Sequence, residues 1–384
     1  MINYACRHFR GSKPCVFNKR DGSECPSCRH TAPFEERILF VKLDAIGDVL
    51  RSASLLPAIR SRHRAPYIVW LTRRESCELV SMMEYVDGVI EFDAEGIQHA
   101  LTGGWDHVYS LSNDVPSASV ATLAAGNAPL TGYFLRGGVI APSNAAAQQW
   151  LEMAAFDRLK RANQRSYQSR MLDILGVDGA VAPPALRLDH GLRAAAEARL
   201  QALFDGCGRQ RVAINVGSGG RWPKKMLYVE DIYLFARRLQ EMGGLDIILV
   251  GGRAETAKAE AILAMRQAGD RIEAALTDVS VPEFVAMLSQ VDGLLCGDTL
   301  ALHIATAIGL PTVAVFGPTN QAEIHTFDGL VAKAWARGLD CLACYGDCGK
   351  PITCMNLMEV DALAGLMSAQ LQRPSPRLAA ALVP

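Results

Sequence analysis

The stretch Arg211-Val-Ala-Ile-Asn-Val-Gly-Ser-Gly-Gly-Arg-Trp-Pro-Lys-Lys225 runs from an apolar segment straight into a glycine-rich, basic loop. Further along, Gly293-Leu-Leu-Cys-Gly-Asp-Thr-Leu-Ala-Leu-His303 repeats the plan: an apolar run, a glycine, a polar turn, then a helical period. Short apolar runs without alternation read as strands of a parallel sheet buried on both faces. Both polar turns then fall at the carboxyl edge of one sheet, where open α/β proteins bind phosphorylated ligands.

Working outward, the second half alternates throughout: strand 211–216, helix 229–242, strand 246–250, helices 254–268 and 282–290, strand 293–296, helix 300–308 and strand 312–316. A first series precedes it, with strand 38–43, helix 49–61, strand 67–71, helix 75–84 and a weaker strand 107–111. Residues 145–175 have a helical period, and Val181-Ala-Pro-Pro184 reads as a linker. The expected fold is α/β, with two Rossmann-like domains facing each other across a cleft and small Cys-rich terminal elements. The boundaries expected are a leader 1–34, an N-terminal domain 35–185, a C-terminal domain 186–335, and a Cys-rich segment with a final helix over 336–384, frayed from Pro374.

With 384 residues, half of them hydrophobic, the chain can bury real cores, which excludes disordered and fibrous classes. Thirty-nine Lys and Arg against 40 Asp and Glu leave a formal charge of −1, so no global field recruits nucleic acid or an anionic membrane. The N-terminus has no apolar signal region, and the longest apolar candidate, 300–316, is broken by His303 and Pro311, short of the roughly 18 residues a span needs. A soluble cytoplasmic protein is expected. Its eleven cysteines should then be thiols or metal ligands rather than disulfides.

Gly217, Gly219 and Gly220, with Ser218 between them, let the backbone approach a ligand, while Arg221, Lys224 and Lys225 add positive charge suited to a diphosphate. Trp222 stands where the third glycine of a nicotinamide fingerprint would fall, and no Walker loop occurs. In the second block Asp298 or Thr299 can cap the helix from Leu300, whose free amides would face an anion, and His303 shares a side with Thr299. The plainer alternatives are a simple strand-to-helix turn, a capping Asp298 and a core His303. In Leu43-Asp-Ala-Ile-Gly-Asp-Val-Leu-Arg51, Asp48 stands at a turn where a carboxylate can take a proton from an acceptor hydroxyl; Asp44 has the same standing, and capping is the alternative for both.

Cys341, Cys344, Cys348 and Cys354 are spaced C-x2-C-x3-C-x5-C, dense enough to wrap one tetrahedral zinc or iron ion. Cys6, Cys15, Cys25 and Cys28 could form a separate knuckle, or Cys25 and Cys28 could complete a site shared with the C-terminal group. Redox catalysis by the C-x-x-C is disfavoured because it precedes the first strand rather than following one, and a structural role is expected for these metals. Cys77, Cys207 and Cys296 read as packing residues.

Residues 38–56 (ILFVKLDAIGDVLRSASLL), the Gly-rich Arg-Trp-Pro loop, Gly251-Gly-Arg-Ala-Glu255 and 297–319 (GDTLALHIATAIGLPTVAVFGPT) together resemble glycosyltransferase family 9, the ADP-heptose:lipopolysaccharide heptosyltransferases and their relatives. The resemblance implies a GT-B fold and a nucleotide-sugar donor, ADP-heptose, held mainly by the C-terminal domain. It implies inverting transfer, without a catalytic metal, to a hydroxyl of a glycan, lipopolysaccharide core or protein. It also implies Asp48 as general base, Asp298, Thr299 and His303 as diphosphate and sugar contacts, and Glu255 as a ribose-binding acid.

Two departures stand out. Leu300 occupies a position that is glycine in many members, and the family's Lys-x-Trp-Pro lysine is displaced. Aligning on Trp222 puts Gly220 at the lysine position, whereas aligning on Lys225 puts Leu227 at the tryptophan; Lys225 is taken, with Arg221 as a second phosphate contact. The C-terminal cysteines are similar to those of autotransporter heptosyltransferases, which implies cysteine-ligated iron. Alternatives are a GT-B enzyme using a UDP or GDP sugar, and a catalytically silent, metal-stabilised binding protein. No nucleic-acid partner is expected, peripheral membrane association and oligomerisation stay open, and loops such as 114–136 would read the acceptor.

Overall fold

In a computed structural model the described residues are 1–373, apart from 10, 12, 206–207, 218–222, 276–278 and 347. They form two compact units, Met1–Leu151 with Arg170–Ala180, and Glu152–Ser169 with the chain from Val181 onward. The leader is part of the first unit and the Cys-rich segment part of the second.

The first unit is built on β1 (Arg37–Val41), β2 (Tyr67–Thr72), β3 (Gly88–Glu91), β4 (His107–Ser110), β5 (Leu130–Arg136) and β6 (Val139–Pro142), in the order β3-β2-β1-β4-β5-β6. All pairings are parallel except β5 with β6. There the two-residue connection Gly137-Gly138 has φ of 59° and 83°, which the twist of a tight hairpin demands and only glycine adopts without cost. Leu39, Val41, Val69, Leu71 and Val108 on the central strands fill the core.

The second unit contains β7 (Arg211–Asn215), β8 (Asp246–Val250), β9 (Ile272–Ala274), β10 (Gly293–Gly297), β11 (Thr312–Phe316) and β12 (Val331–Trp335), all parallel, in the order β12-β11-β10-β7-β8-β9. β8, β10 and β11 are buried at every position, which is why they read as continuous apolar runs. The helix Leu300–Ile308 ends at Gly309, φ 67°, whose amide closes on the Ala305 carbonyl, and Pro311 prevents its continuation.

The expected strands and most helices are present. The expected helix 49–61 is instead Ile46–Ser52, a 3-10 turn Ala53–Leu55 and Leu56–Arg62, because Pro57 cannot donate into a continuous helix. The acceptor-reading loop expected over 114–136 is a correction: it consists of the helix Val115–Ala125, capped by Asp114, and the strand β5. β5 was not expected as a strand, and neither were the edge strands β3, β6, β9 and β12. They are short, lie at or next to the sheet edges and are only partly buried, so no apolar run marks them.

Candidate functional site

In each sheet the strand order reverses beside the central strand, between β1 and β4 and between β7 and β10. At such a point the two flanking turns diverge and leave a crevice at the carboxyl ends. The β7–β10 crevice gathers most of the described residues expected to hold the donor.

Asn215, the buried last residue of β7, donates from Nδ2 to the Gly217 carbonyl at 3.1 Å and to Thr299 Oγ1 at 3.0 Å. It thereby ties the loop after β7 to the turn after β10. Sequence reading did not single it out; the signal was a polar residue ending an otherwise apolar strand. Gly217 lies so close to Glu255 that a methyl in its place would overlap the Glu255 side chain. Glu255 Oε2 accepts the Gly252 amide at 2.8 Å, so its carboxylate is held at the turn after β8. Nearby, Lys258 donates to the Leu227 carbonyl at 2.6 Å; burial pushes its amine down to about 8 against the opposing charge of Glu255.

Lys225 Nζ lies 3.2 Å from the Asp298 carbonyl and 3.5 Å from its Oδ2, both side chains being mostly shielded from solvent. The buried His303 places Nε2 4.0 Å from Asp298 Oδ1. Neither Asp298 nor Thr299 caps the helix Leu300–Ile308 through its side chain, contrary to expectation: Thr299 occupies the cap position but its hydroxyl accepts from Asn215. Thr299 and Asp298 are thus brought together with Lys225, Asn215 and His303. Lys224 points elsewhere, donating to the Cys348 carbonyl. Ser218, Gly219, Gly220 and Arg221 lie outside the described residues.

In the first unit, the helix Ile46–Ser52 is capped at Ala45 without a side-chain bond, so capping is not the role of Asp44 or Asp48. Asp48 lies in its first turn, partly exposed, with Arg51 Nη2 at 2.7 Å from Oδ1. Asp44 pairs with the buried Lys42 at 2.8 Å and accepts from Ser112. Burial alone would raise the Asp44 carboxyl, but the charge and hydrogen bond of Lys42, then Ser112 and Arg51, hold it below its usual range. Both carboxylates are partly exposed and ion-paired, and Asp44 is bonded by Ser112 as well.

The C-terminal cysteines lie across the loops of the donor edge. Ala343 and Tyr345 donate to the Gly317 and Pro318 carbonyls at 2.9 and 2.8 Å, and a methyl at Gly317 would overlap Cys354 Sγ. Burial, then the neighbouring Cys344, Cys348 and Cys341, raise the Cys354 thiol, so the four sulfurs share one neighbourhood. That donor set suits a thiophilic ion. Among the described residues, however, no three His, Cys, Asp or Glu side chains stand in a metal-ligating arrangement. Cys296 is fully buried and Cys77 half-buried with Sγ near the Arg73 carbonyl, as packing residues; Cys207 lies outside the described residues.

Two Rossmann-like units, each with polar turns at the switch point of its own sheet, define the GT-B class of glycosyltransferase fold. The chain belongs to glycosyltransferase family 9 (heptosyltransferase), whose family model matches residues 96–348. Among solved structures it is similar to Escherichia coli ADP-heptose LPS heptosyltransferase II, at 16% identity over 87% of this chain and 98% of that one, with a TM-score of 0.66. A family 9 glycosyltransferase from Veillonella parvula matches at 14% identity over 88% and 97%, with a TM-score of 0.70. The iron-containing dodecameric glycosyltransferase TibC of enterotoxigenic E. coli matches at 12% over 88% and 76%, TM-score 0.51. No curated protein sequence matches the chain. Among the described residues no helix is long and apolar enough to cross a membrane.

Proposed function

We propose that this glycosyltransferase moves heptose from ADP-heptose onto an acceptor hydroxyl of a glycan, lipopolysaccharide core or protein, with inversion at the anomeric carbon, in the cytoplasm. The observation that carries the reading is the joining of the β7 and β10 turns through Asn215 and Thr299, beside Lys225 and Asp298. A cation and helix amides at one sheet edge suit a departing diphosphate.

In this reading the second unit holds the donor. Glu255 accepts the ribose hydroxyls, His303 and Thr299 contact the sugar and diphosphate, and Lys225 and Arg221 neutralise charge as the sugar–phosphate bond breaks. The first unit supplies the base: Asp48 takes the acceptor hydroxyl's proton as its oxygen attacks the anomeric carbon, and nucleoside diphosphate leaves from the opposite face. Arg51 holds the Asp48 carboxylate in position. The proposed transfer uses no catalytic metal. Cys341, Cys344, Cys348 and Cys354 would hold a structural iron or zinc that cross-links the segment against the Gly317-Pro318 loop; their shared neighbourhood supports this.

A second reading, a silent binding protein with the same fold, is favoured by one observation. Leu300 puts a half-buried isobutyl group at the first position of the helix, where close backbone approach to a sugar needs a small residue. Incubation with ADP-, UDP- and GDP-sugars and cell extract, followed by product mass, tests both. A heptosylated product formed only with ADP-heptose supports the proposal, another nucleotide would replace the donor assignment, and ADP binding without product would favour the silent protein.

A further inference from the structure

The leader folds without a core. Among its described residues none is buried, and its regular structure amounts to the six-residue helix Val16–Asp21, the 3-10 turn Cys25–Ser27 and an isolated bridge between Cys6 and Pro33. Segments this small hold a defined path through cross-links or a metal, because they bury too little apolar area to offset chain entropy. Cys6, Cys15, Cys25 and Cys28 all line one cavity of about 510 Å³. No disulfide joins them.

Two of the sulfurs already accept backbone amides, Cys15 Sγ from Asn18 at 3.5 Å and Cys28 Sγ from His30 at 3.4 Å. These hydrogen bonds tie both sulfurs to the local backbone and orient them. The turn opened by Cys25 and Pro26 brings the Cys28 amide to 3.4 Å from the Cys25 carbonyl, holding that pair of cysteines one turn apart. Charge points the same way. Residues 1–34 carry Arg7, Arg10, Lys13, Lys19, Arg20 and Arg29 against only Asp21 and Glu24, in a chain whose formal charge is −1. A divalent ion with four thiolates retains two negative charges, which this basic surround offsets.

We propose that Cys6, Cys15, Cys25 and Cys28 form a tetrathiolate site for a zinc-class divalent ion, separate from the C-terminal cysteines. The four cysteines line a common space without standing in a ligating arrangement. Binding draws them together and releases their thiol protons to solvent, and no packed core opposes that contraction. The closed knuckle fixes Arg7, whose guanidinium bonds Asp87 Oδ1 and the Pro66 carbonyl, each at 2.6 Å, at the start of β2. The leader site is a brace of the first unit, independent of the donor chemistry.

The test uses the full-length protein, stripped with chelator and reconstituted with Zn²⁺ or Co²⁺, then alkylated and mapped cysteine by cysteine by peptide mass. All four leader thiols are expected to react roughly tenfold or more slowly with metal present. Co²⁺ should give the thiolate charge-transfer absorption of a tetrahedral site. Cys25→Ser/Cys28→Ser should lose one metal equivalent and the leader's protection, while Cys341→Ser/Cys344→Ser keeps that protection. Equal alkylation with and without metal, or a leader disulfide detected by mass, would overturn the site. Mapping of the parent protein decides even where a variant does not fold. Because it reads no transfer activity, its failure is distinct from failure of the proposed function.

Discussion

Lys225 Nζ bridges the backbone carbonyl and the side-chain carboxylate of Asp298, at 3.2 and 3.5 Å, across neighbouring turns of one sheet. The single cation is shared between two acceptors of the second turn, which positions it at the helix entrance and leaves N–H capacity for a phosphate oxygen. Charge-assisted hydrogen bonds of this kind contribute about 1.5–3 kcal/mol. Lys225→Met should therefore weaken ADP binding by roughly ten- to a hundredfold. Calorimetric titration checks this, and an unchanged affinity would remove Lys225 from the site.

Asp48 belongs to the first unit and pairs with Arg51. Loss of a general base costs about 10²–10⁴-fold in turnover. Asp48→Asn should lower kcat by that order while ADP affinity stays at the parent value. A variant keeping most of its turnover would transfer the role to another group.

A methyl at Gly297 would overlap the Lys225 carbonyl oxygen, and both atoms are held by backbone. Gly297→Ala must push apart the loop after β7 and the end of β10. Overpacking of this kind costs about 1–3 kcal/mol. Urea unfolding should show that loss, and ADP affinity should fall with it because Lys225 moves.

Burial, with the nearby charges of His63 and Arg62 and against that of Glu36, pushes the His107 imidazole down to about 4 from 6.5. Between those values the unfolded chain binds a proton that the folded chain refuses, so stability falls as pH falls through this window and is intact above it. His107→Gln should flatten the decline in unfolding midpoint between pH 6.5 and 4. A parallel decline in both proteins would assign the acid sensitivity elsewhere.

Lys224 donates to the Cys348 carbonyl, and Tyr228 OH meets Thr353 Oγ1 at 2.9 Å, so the Cys-rich segment grips the loop that carries Lys225. If an ion organises Cys341, Cys344, Cys348 and Cys354, chelation should weaken ADP binding several-fold. The same chelation applied to Lys224→Met should have a smaller effect. Identical responses of parent and variant would show that the grip does not pass through Lys224.

The central strands were legible because burial on both faces leaves an uninterrupted apolar run, as in 293–297 and 312–316. Edge strands such as Ile272–Ala274 were not, since half-buried three- to five-residue segments carry no periodicity. The Gly137-Gly138 hairpin was readable in principle from its paired glycines. Asn215 was not, because the worth of a polar side chain at a strand end depends on what the neighbouring strand brings to it.

By itself the sequence determined two α/β series, the glycine turns at their sheet edges and the cysteine groupings, because these follow from local pattern and residue chemistry. Only the tertiary structure decided that Asn215 rather than a cap partners Thr299, that Lys225 and not Lys224 meets Asp298, and that Ser112 donates to Asp44. Those choices depend on which strands lie side by side. The pairing of β7 with β10 and of β1 with β4 joins residues dozens of positions apart, and local periodicity carries no record of it.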